Sequence, residues 1–277
     1  MKECIHKSID IYYRKNDFLP NRETLVFVHG LSGSSSAWLP YEKKFENQYN
    51  LFFFDLRGHG KSIKYKKCAD YSIANFAKDL EIILAGLGLE NFILVSHSFG
   101  TLIALEYLAK NISQVKAAVF LSPSFAPRKR LASKIVEPFL RFFSWFEFLP
   151  FSAKVGTHID YTKYPNTGDW NLRRMWADVG NTSLRVYLYA SLESLKFDRE
   201  DFFPKIKIPC LIVHGAKDSI FPVQNSRTMA ERVEGSKLII LEKADHILVL
   251  NYFAEVSAAI EEFIEKVKKG NYIRYRS

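Results

Sequence analysis

The chain has 277 residues, of which 48% are hydrophobic, so it can bury a sizeable core in one large or two small domains, and the composition excludes a disordered protein. The formal net charge of +9 is consistent with binding to nucleic acid or to an anionic membrane surface. The alternative is that it reflects a solvated lysine-rich surface. The distant cysteines Cys4, Cys68 and Cys210 argue against a disulfide framework. Because we find no signal peptide and no apolar run long enough to span a bilayer, we expect a cytoplasmic protein.

Short apolar runs alternate with helical patterns along most of the chain. In chain order, we predict a hairpin strand at 9–13, strands at 24–29 and 51–55, a helix at 72–85, a strand at 92–95, a helix at 101–109, a strand at 117–121, a strand at 210–214, a helix at 223–233, a strand at 237–241 and a helix at 252–268. Continuous apolar runs are typical of strands buried on both faces. The fold class is therefore α/β, with a mostly parallel central sheet flanked by helices and a site at the carboxyl ends of its strands.

Residues 124–205 break the alternation. This stretch is rich in aromatic and basic residues, contains several prolines and has no clear strand. We interpret it as a helical lid inserted between two strands of a core that comprises residues 1–123 and 206–277. The alternative is that it adds further helices to the main layer.

The strongest chemical signal is the segment Val95-Ser96-His97-Ser98-Phe99-Gly100, which lies between a predicted strand and a predicted helix. A serine hydroxyl becomes a nucleophile when a base removes its proton and a tight turn exposes its oxygen. Such a turn needs small residues two positions before and two positions after the nucleophile, and Ser96 and Gly100 flank Ser98 in this way. We therefore predict that Ser98 is the nucleophile, although Ser96 stands where the pattern favours glycine.

These motifs resemble those of the α/β-hydrolase family. His29-Gly30-Leu31 follows the first buried strand, and the resemblance implies that the backbone N–H groups of Leu31 and Phe99 form the oxyanion hole. The segment 55–62 resembles a structural loop of the family, so we assign no catalytic role to Asp55, Arg57 or His59.

A nucleophilic serine needs a basic histidine and a carboxylate that orients it, in the chain order serine, acid, histidine for this fold. Asp218 follows the next-to-last strand, in a loop that resembles the acid loop of the family. His246 follows the last strand, where the family carries its histidine. We predict the catalytic triad Ser98, Asp218 and His246, and we expect the neighbouring Asp245 to point to solvent and His97 to pack beside the strands.

We find no metal-ligand spacing and no phosphate-binding glycine loop, so no cofactor or metal is expected. Basic residues are dispersed and no recognition motif is present, which argues against nucleic acid as a partner.

The resemblance implies a carboxylesterase or monoacylglycerol lipase that acts on a small-molecule ester through an acyl-enzyme. The aromatic content of the lid predicts a pocket for an apolar acyl chain, with candidate substrate contacts at Phe125, Phe142, Trp145 and Phe146. The basic run 128–130 beside these aromatics predicts a face that could rest on an anionic lipid surface. Core packing is the alternative role for most of them.

Other activities share the same motifs. A C–C bond hydrolase and a proline-iminopeptidase-like amidase remain open, the latter because Glu193, Glu200 and Asp201 could bind a free amino group. A ligand-binding, receptor-like homologue is the non-enzyme alternative, and the complete triad argues against it.

Overall fold

A computed structural model describes residues 1–127, 137–139, 141–142 and 154–270. In this part of the chain eight strands form one sheet in the order β1-β2-β4-β3-β5-β6-β7-β8. The strands are β1 (Lys2–His6), β2 (Ile11–Lys15), β3 (Thr24–Val28), β4 (Asn50–Phe54), β5 (Phe92–His97), β6 (Val115–Leu121), β7 (Cys210–Gly215) and β8 (Lys237–Leu241). The pairs β1–β2 and β2–β4 are antiparallel and the other pairs are parallel, which confirms the mostly parallel sheet.

Helices connect the parallel strands. They are α1 (Leu39–Phe45), α2 (Ile73–Gly86), α3 (Phe99–Asn111), α4 (Leu172–Thr182), α5 (Leu184–Ser194), α6 (Val223–Arg232), α7 (Leu248–Asn251) and α8 (Phe253–Lys268). Short 3₁₀ helices span Ser35–Trp38, Cys68–Tyr71, Ile112–Gln114, Tyr161–Lys163 and Glu200–Lys205. None of the helices within the described ranges is long and apolar enough to cross a membrane.

The central strands of the sheet are buried on both faces because helices cover each face. On β3, Val26 and Val28 face one core cluster, which includes residues of α2 and α3, whereas Leu25 and Phe27 face another, which includes residues of α1 and α8. This alternation explains why the central strands are continuous apolar runs in the sequence.

The predicted strands and helices agree with the observed ones to within a few residues at most ends. Helix α3 begins at Phe99, two residues earlier than predicted, because the chain turns sharply at Ser98. Strand β1 was not predicted as a separate element. It is an edge strand with largely exposed side chains and so lacks the apolar signal of a buried strand.

We call residues 124–205, which lie between β6 and β7, the insertion. Its described part contains α4 and α5 and is fastened to the core by polar contacts. Thr182 donates a hydrogen bond to the carbonyl of Ser32 (3.1 Å), and the Lys64 ammonium donates to the carbonyl of Asn181 (2.7 Å). The basic run 128–130 lies outside the described residues.

Candidate active site

Ser98 occupies the turn between β5 and α3. Its backbone has φ 54° and ψ −121°, a region that residues other than glycine rarely adopt. The turn is held because the Ser98 N–H donates to the carbonyl of Leu121 at the end of β6 (2.9 Å). This backbone directs the Ser98 side chain above the carboxyl end of the sheet, beside the N-terminus of α3.

The small residues around Ser98 have identifiable physical roles. A Cβ atom on Gly100 would lie 2.7 Å from the carbonyl oxygens of both Val28 and His29, so α3 can approach β3 closely only with glycine at this position. Ser96 is fully buried, and its hydroxyl donates to the carbonyl of Val119 on β6 (3.2 Å). The small position before the nucleophile therefore accepts serine in place of glycine, because the Ser96 hydroxyl has a hydrogen-bond partner inside the sheet.

Three side chains, from the loops that follow β5, β7 and β8, form a continuous hydrogen-bonded relay. The His246 Nε2 atom lies 2.7 Å from Ser98 Oγ, and His246 Nδ1 lies 2.7 Å from Asp218 Oδ2. An ionised carboxylate only accepts hydrogen bonds, so Nδ1 carries the ring proton and Nε2 accepts from the Ser98 hydroxyl. In this tautomer the imidazole is ready to take the Ser98 proton.

The Asp218 carboxylate is fixed on the side away from His246. Its Oδ1 accepts hydrogen bonds from the backbone N–H groups of Ile220 (2.9 Å) and Phe221 (2.7 Å), and His214 Nε2 lies 3.3 Å from Oδ2. Burial alone would raise the pKa of Asp218, but the hydrogen bonds from His214 and His246 outweigh it and hold the pKa well below its usual range. Asp218 therefore stays ionised at neutral pH.

Two neighbours of the relay complete its surroundings. His97 packs beside His246 with ring centroids 5.2 Å apart, and burial, together with the charge of His246, lowers the pKa of His97 to about 3. Asp245 does not point freely to solvent, contrary to our expectation. It is half-buried because its carboxylate accepts from the Ile247 N–H (3.0 Å) at the start of α7 and from the Asn251 amide.

The predicted oxyanion donors border the same cavity as Ser98. Phe99 is the first residue of α3, where backbone N–H groups have no partner within the helix. In the part of the chain that the structure describes, the N–H groups of Leu31 and Phe99 donate to no other protein group. Both therefore remain available for an oxygen that becomes negative during a reaction.

Asp55 belongs to the loop for which we predicted a structural role, and its contacts fit that role. The buried carboxylate accepts from the N–H groups of Ser35 and Lys61 (each 2.8 Å) and contacts His158 Nε2 (2.8 Å). Burial would raise the pKa of Asp55, but the hydrogen bond and charge of His158 bring it down to about 2. His158 belongs to the insertion, and no sequence motif predicts this contact.

A cavity of about 400 Å³ opens above Ser98 and His246. The insertion supplies part of its wall, including Asp169, Arg174 and Asp178. Arg174 is only 5% exposed and donates to the carbonyls of Gly168 and Asp169, but its buried Nε–H has no hydrogen-bond partner among the described residues.

Asp178 lies one helical turn after Arg174 on α4. Burial raises the pKa of Asp178 to about 6, although the Tyr161 hydroxyl that donates to it and the charge of Arg174 act in the opposite direction. The cavity thus combines mainly apolar walls with a polar patch on α4.

Of the predicted aromatic contacts, the two that the structure describes, Phe125 and Phe142, do not line this cavity. Phe125 is buried against Phe203, with ring centroids 4.8 Å apart, and does not line the cavity. Phe142 is largely exposed. Trp145 and Phe146 lie outside the described residues.

Sequence reasoning missed three polar residues of the insertion at the cavity, namely Asp169, Arg174 and Asp178. They belong to no motif. Arg174 and Asp178 are polar residues at inward-facing positions of α4, and Asp169 precedes the helix. Asp169 is notable because it touches the loops of both Asp218 and His246.

Comparisons with known proteins agree with this geometry. A family model described as "alpha/beta hydrolase fold" matches residues 23–251. The chain is 26% identical to a protein named "Putative non-heme chloroperoxidase" from Synechocystis, over 93% of this chain and 96% of that one. It is 22% identical to a proline iminopeptidase from Saccharolobus solfataricus, over 96% and 92% of the two chains.

Among solved structures, the esterase RhEst1 from Rhodococcus superposes with a TM-score of 0.70 at 20% identity, covering 96% of this chain and 98% of that one. The names of these proteins indicate different activities. The matches therefore agree on the fold, and the reaction has to be inferred from the geometry of the site.

Proposed function

The chain belongs to the α/β-hydrolase fold family, and from this premise we propose that it is a serine hydrolase that cleaves carboxylic esters of apolar acyl chains. The observation that carries the proposal is the relay in which His246 lies 2.7 Å from both Ser98 and Asp218. Ser98, Asp218 and His246 would form its catalytic triad.

In the first half-reaction, Ser98 Oγ attacks the carbonyl carbon of the ester while its proton passes to His246 Nε2. The carbonyl oxygen becomes an oxyanion and accepts hydrogen bonds from the N–H groups of Leu31 and Phe99. Each such donor is worth about 2.7–4 kcal/mol of barrier. The bond to the alcohol then breaks, His246 gives its proton to the leaving alkoxide, and an acyl-enzyme remains on Ser98.

In the second half-reaction, a water molecule gives a proton to His246 and its oxygen attacks the acyl carbon. The bond to Ser98 breaks, and Ser98 recovers its proton from His246 as the carboxylic acid leaves. Asp218 stays ionised throughout and stabilises the imidazolium form of His246 in both half-reactions.

The cavity supports an apolar acyl group. Leu102, Val179, Leu195 and Phe221 are among the side chains that line it, and burial of each CH₂ of an acyl chain contributes about 0.8 kcal/mol. We infer that the insertion acts as a lid over this pocket.

Two measurements test the proposal together. A fluorophosphonate probe should label Ser98, and p-nitrophenyl esters of increasing acyl length should show kcat/KM rising from acetate to medium chains. Absence of labelling would contradict a serine hydrolase, whereas turnover of acetate alone would contradict the apolar pocket. A labelled protein that hydrolyses no ester would favour a different reaction on the same serine.

A second candidate is an amidase that recognises a free amino group, because Asp169 and Asp178 line the cavity. The acidic residues first considered for this role have other partners: Glu193 pairs with Lys196, and Glu200 pairs with Arg232. A comparison of aminoacyl p-nitroanilides with p-nitrophenyl esters separates the two, and faster cleavage of the anilides would favour the amidase.

The insertion also has an exposed apolar surface near the cavity. Leu172 and Trp176, one turn apart on α4, are 78% and 76% exposed, and Trp170 at the cavity rim is 63% exposed. Tryptophan is favoured at membrane interfaces, and the net charge of +9 would favour an anionic lipid surface. We expect the double variant Leu172→Ser, Trp176→Ser to lose co-sedimentation with phosphatidylserine vesicles while it still hydrolyses a short soluble ester. Equal sedimentation of wild type and variant would contradict the proposal that this surface contacts anionic lipid.

A further inference from the structure

Asp169 connects the insertion to both loops that carry the His246–Asp218 pair. Its carboxylate is 9% exposed and accepts three hydrogen bonds. Oδ1 accepts from the backbone N–H of His246 (2.8 Å). Oδ2 accepts from the backbone N–H of Ser219 (2.9 Å) and from the Ser219 hydroxyl (2.7 Å). One carboxylate of the insertion therefore holds the loop after β7 and the loop after β8 at the same time.

The contact with His246 fixes the backbone from which the imidazole projects. The His246 N–H is held by Asp169, and the His246 carbonyl accepts from His97 Nε2 (3.0 Å). Both peptide groups that flank the Cα atom of His246 are thus hydrogen-bonded to buried side chains. The direction of the imidazole towards Ser98 then depends on these two contacts as well as on Asp218.

The contact with Ser219 acts on the carboxylate partner of His246. Ser219 follows Asp218 directly, so the bonds from Asp169 hold the turn whose N–H groups bind Asp218 Oδ1. Within the core, the two loops are also joined by the backbone bond from Lys217 N–H to the Ala244 carbonyl (2.9 Å). Asp169 adds a second bridge between them, one that acts at His246 and at the neighbour of Asp218.

We propose that Asp169 is a positioning residue that sets the geometry of the His246–Asp218 pair from the insertion. This inference rests on the proposed function, because it assigns Asp169 a role in the serine hydrolase reaction. The insertion then contributes to the rate of the chemical step as well as to the shape of the cavity, since the base is held correctly only while Asp169 is docked on both loops.

The variant Asp169→Asn tests this role with little change in volume. His246 and Ser219 bind different oxygens of Asp169, and in asparagine one of these two positions is an NH₂ donor, which cannot accept from the backbone N–H that faces it. A misplacement of catalytic groups by about 1 Å costs on the order of 10²-fold in rate, so we expect kcat to fall by about that factor. We expect a much smaller change in KM for a short p-nitrophenyl ester and loss of the downfield proton resonance of the His246 Nδ1–H.

Matched variants separate positioning from general destabilisation. Asp160→Asn changes an exposed aspartate of the insertion that contacts the nearby residues Thr162 and Lys163, and it should behave as wild type. Ser219→Ala removes one of the three bonds to Asp169, together with the bond that the Ser219 hydroxyl accepts from Trp170 Nε1 (2.8 Å), and should lower kcat by a smaller factor than Asp169→Asn. It also serves as the measurement if Asp169→Asn does not fold.

Two results would overturn the inference while the wild type remains active. One is a folded Asp169→Asn variant with the kcat and the Nδ1–H resonance of Asp160→Asn, and the other is a Ser219→Ala variant indistinguishable from wild type. A wild-type protein that neither reacts with a fluorophosphonate nor hydrolyses esters would instead contradict the proposed function, and this is observed before any variant is compared.

Discussion

The loops at the carboxyl ends of the strands and the insertion above them reach one cavity by different means. Ser98, Asp218 and His246 each follow a strand closely, so the backbone of the sheet sets their separation. Asp169, Arg174 and Asp178 approach from the other side, on a segment that is fastened to the core by side-chain hydrogen bonds. The chemical groups are therefore encoded locally beside the strands, whereas the groups that shape the cavity depend on how a distant segment docks.

The largest effect is expected for Ser98, the proposed nucleophile of the core. Ser98→Ala should lower kcat for a p-nitrophenyl ester by about 10⁶-fold, because removal of the serine leaves the histidine with nothing to activate. Circular dichroism and thermal unfolding should show an intact fold. Ser96→Ala, two residues earlier in the same turn, is the control and should keep most of the activity. Equal rates for Ser98→Ala and wild type would refute the assignment.

The next effect concerns the acid of the core. Asp218→Asn should lower kcat by about 10⁴-fold, because an amide no longer selects the His246 tautomer that accepts the serine proton. Steady-state kinetics with the same ester measures it, and Glu242→Gln, an exposed residue of the loop after β8, is the control. A loss of only a few-fold would mean that another carboxylate orients His246.

In the insertion, Asp178 should affect stability and its dependence on pH more than the rate. The pKa of Asp178 is about 6 in the folded protein against 3.8 when unperturbed, so the folded state binds the proton more tightly. The contribution of protonated Asp178 to the free energy of unfolding is fully present below pH 3.8 and is lost as the pH rises through about 6. The loss amounts to about 3 kcal/mol.

Asp178→Asn remains neutral, so its free energy of unfolding should not show this loss. Urea unfolding of both proteins between pH 4 and pH 7 tests the difference, with Asp160→Asn as the control. Parallel pH curves for wild type and Asp178→Asn would contradict the prediction. A fall in kcat as large as that of Asp218→Asn would contradict the division of roles between the two regions.

The smallest effect is expected where the insertion is fastened far from Ser98. His158→Ala removes one of the hydrogen bonds to the buried Asp55, and a hydrogen bond to a charged group contributes about 1.5–3 kcal/mol. The free energy of unfolding should fall by that amount, while kcat for a short ester stays near the wild-type value. His6→Ala, which removes an exposed hydrogen bond between the imidazole and the Ser8 hydroxyl, should change neither quantity. Unchanged stability in His158→Ala would show that this contact does not secure the insertion.

The same division explains how far the sequence allowed prediction. The apolar runs predict the buried strands, and the small residues around Ser98 predict the nucleophile. Asp218 and His246 were identified because their loops resemble the acid and histidine loops of the family. Asp169 could not be predicted because it lies 77 residues before His246 and its contact arises only when the insertion folds back. His158, 103 residues after Asp55, is a similar case. The edge strand β1 was missed for a different reason, since its exposed side chains show no apolar pattern.

The unusual backbone of Ser98 sets a conflict between durability and activity. Conformations of this kind cost about 1–3 kcal/mol, which the rest of the fold must offset. Glycine would adopt φ 54° with little strain, so Ser98→Gly should resist heat better than Ser98→Ala, although both would be inactive. Selection for thermal stability alone would thus favour loss of the hydroxyl on which the proposed reaction depends. A search for more stable variants must therefore keep serine at position 98.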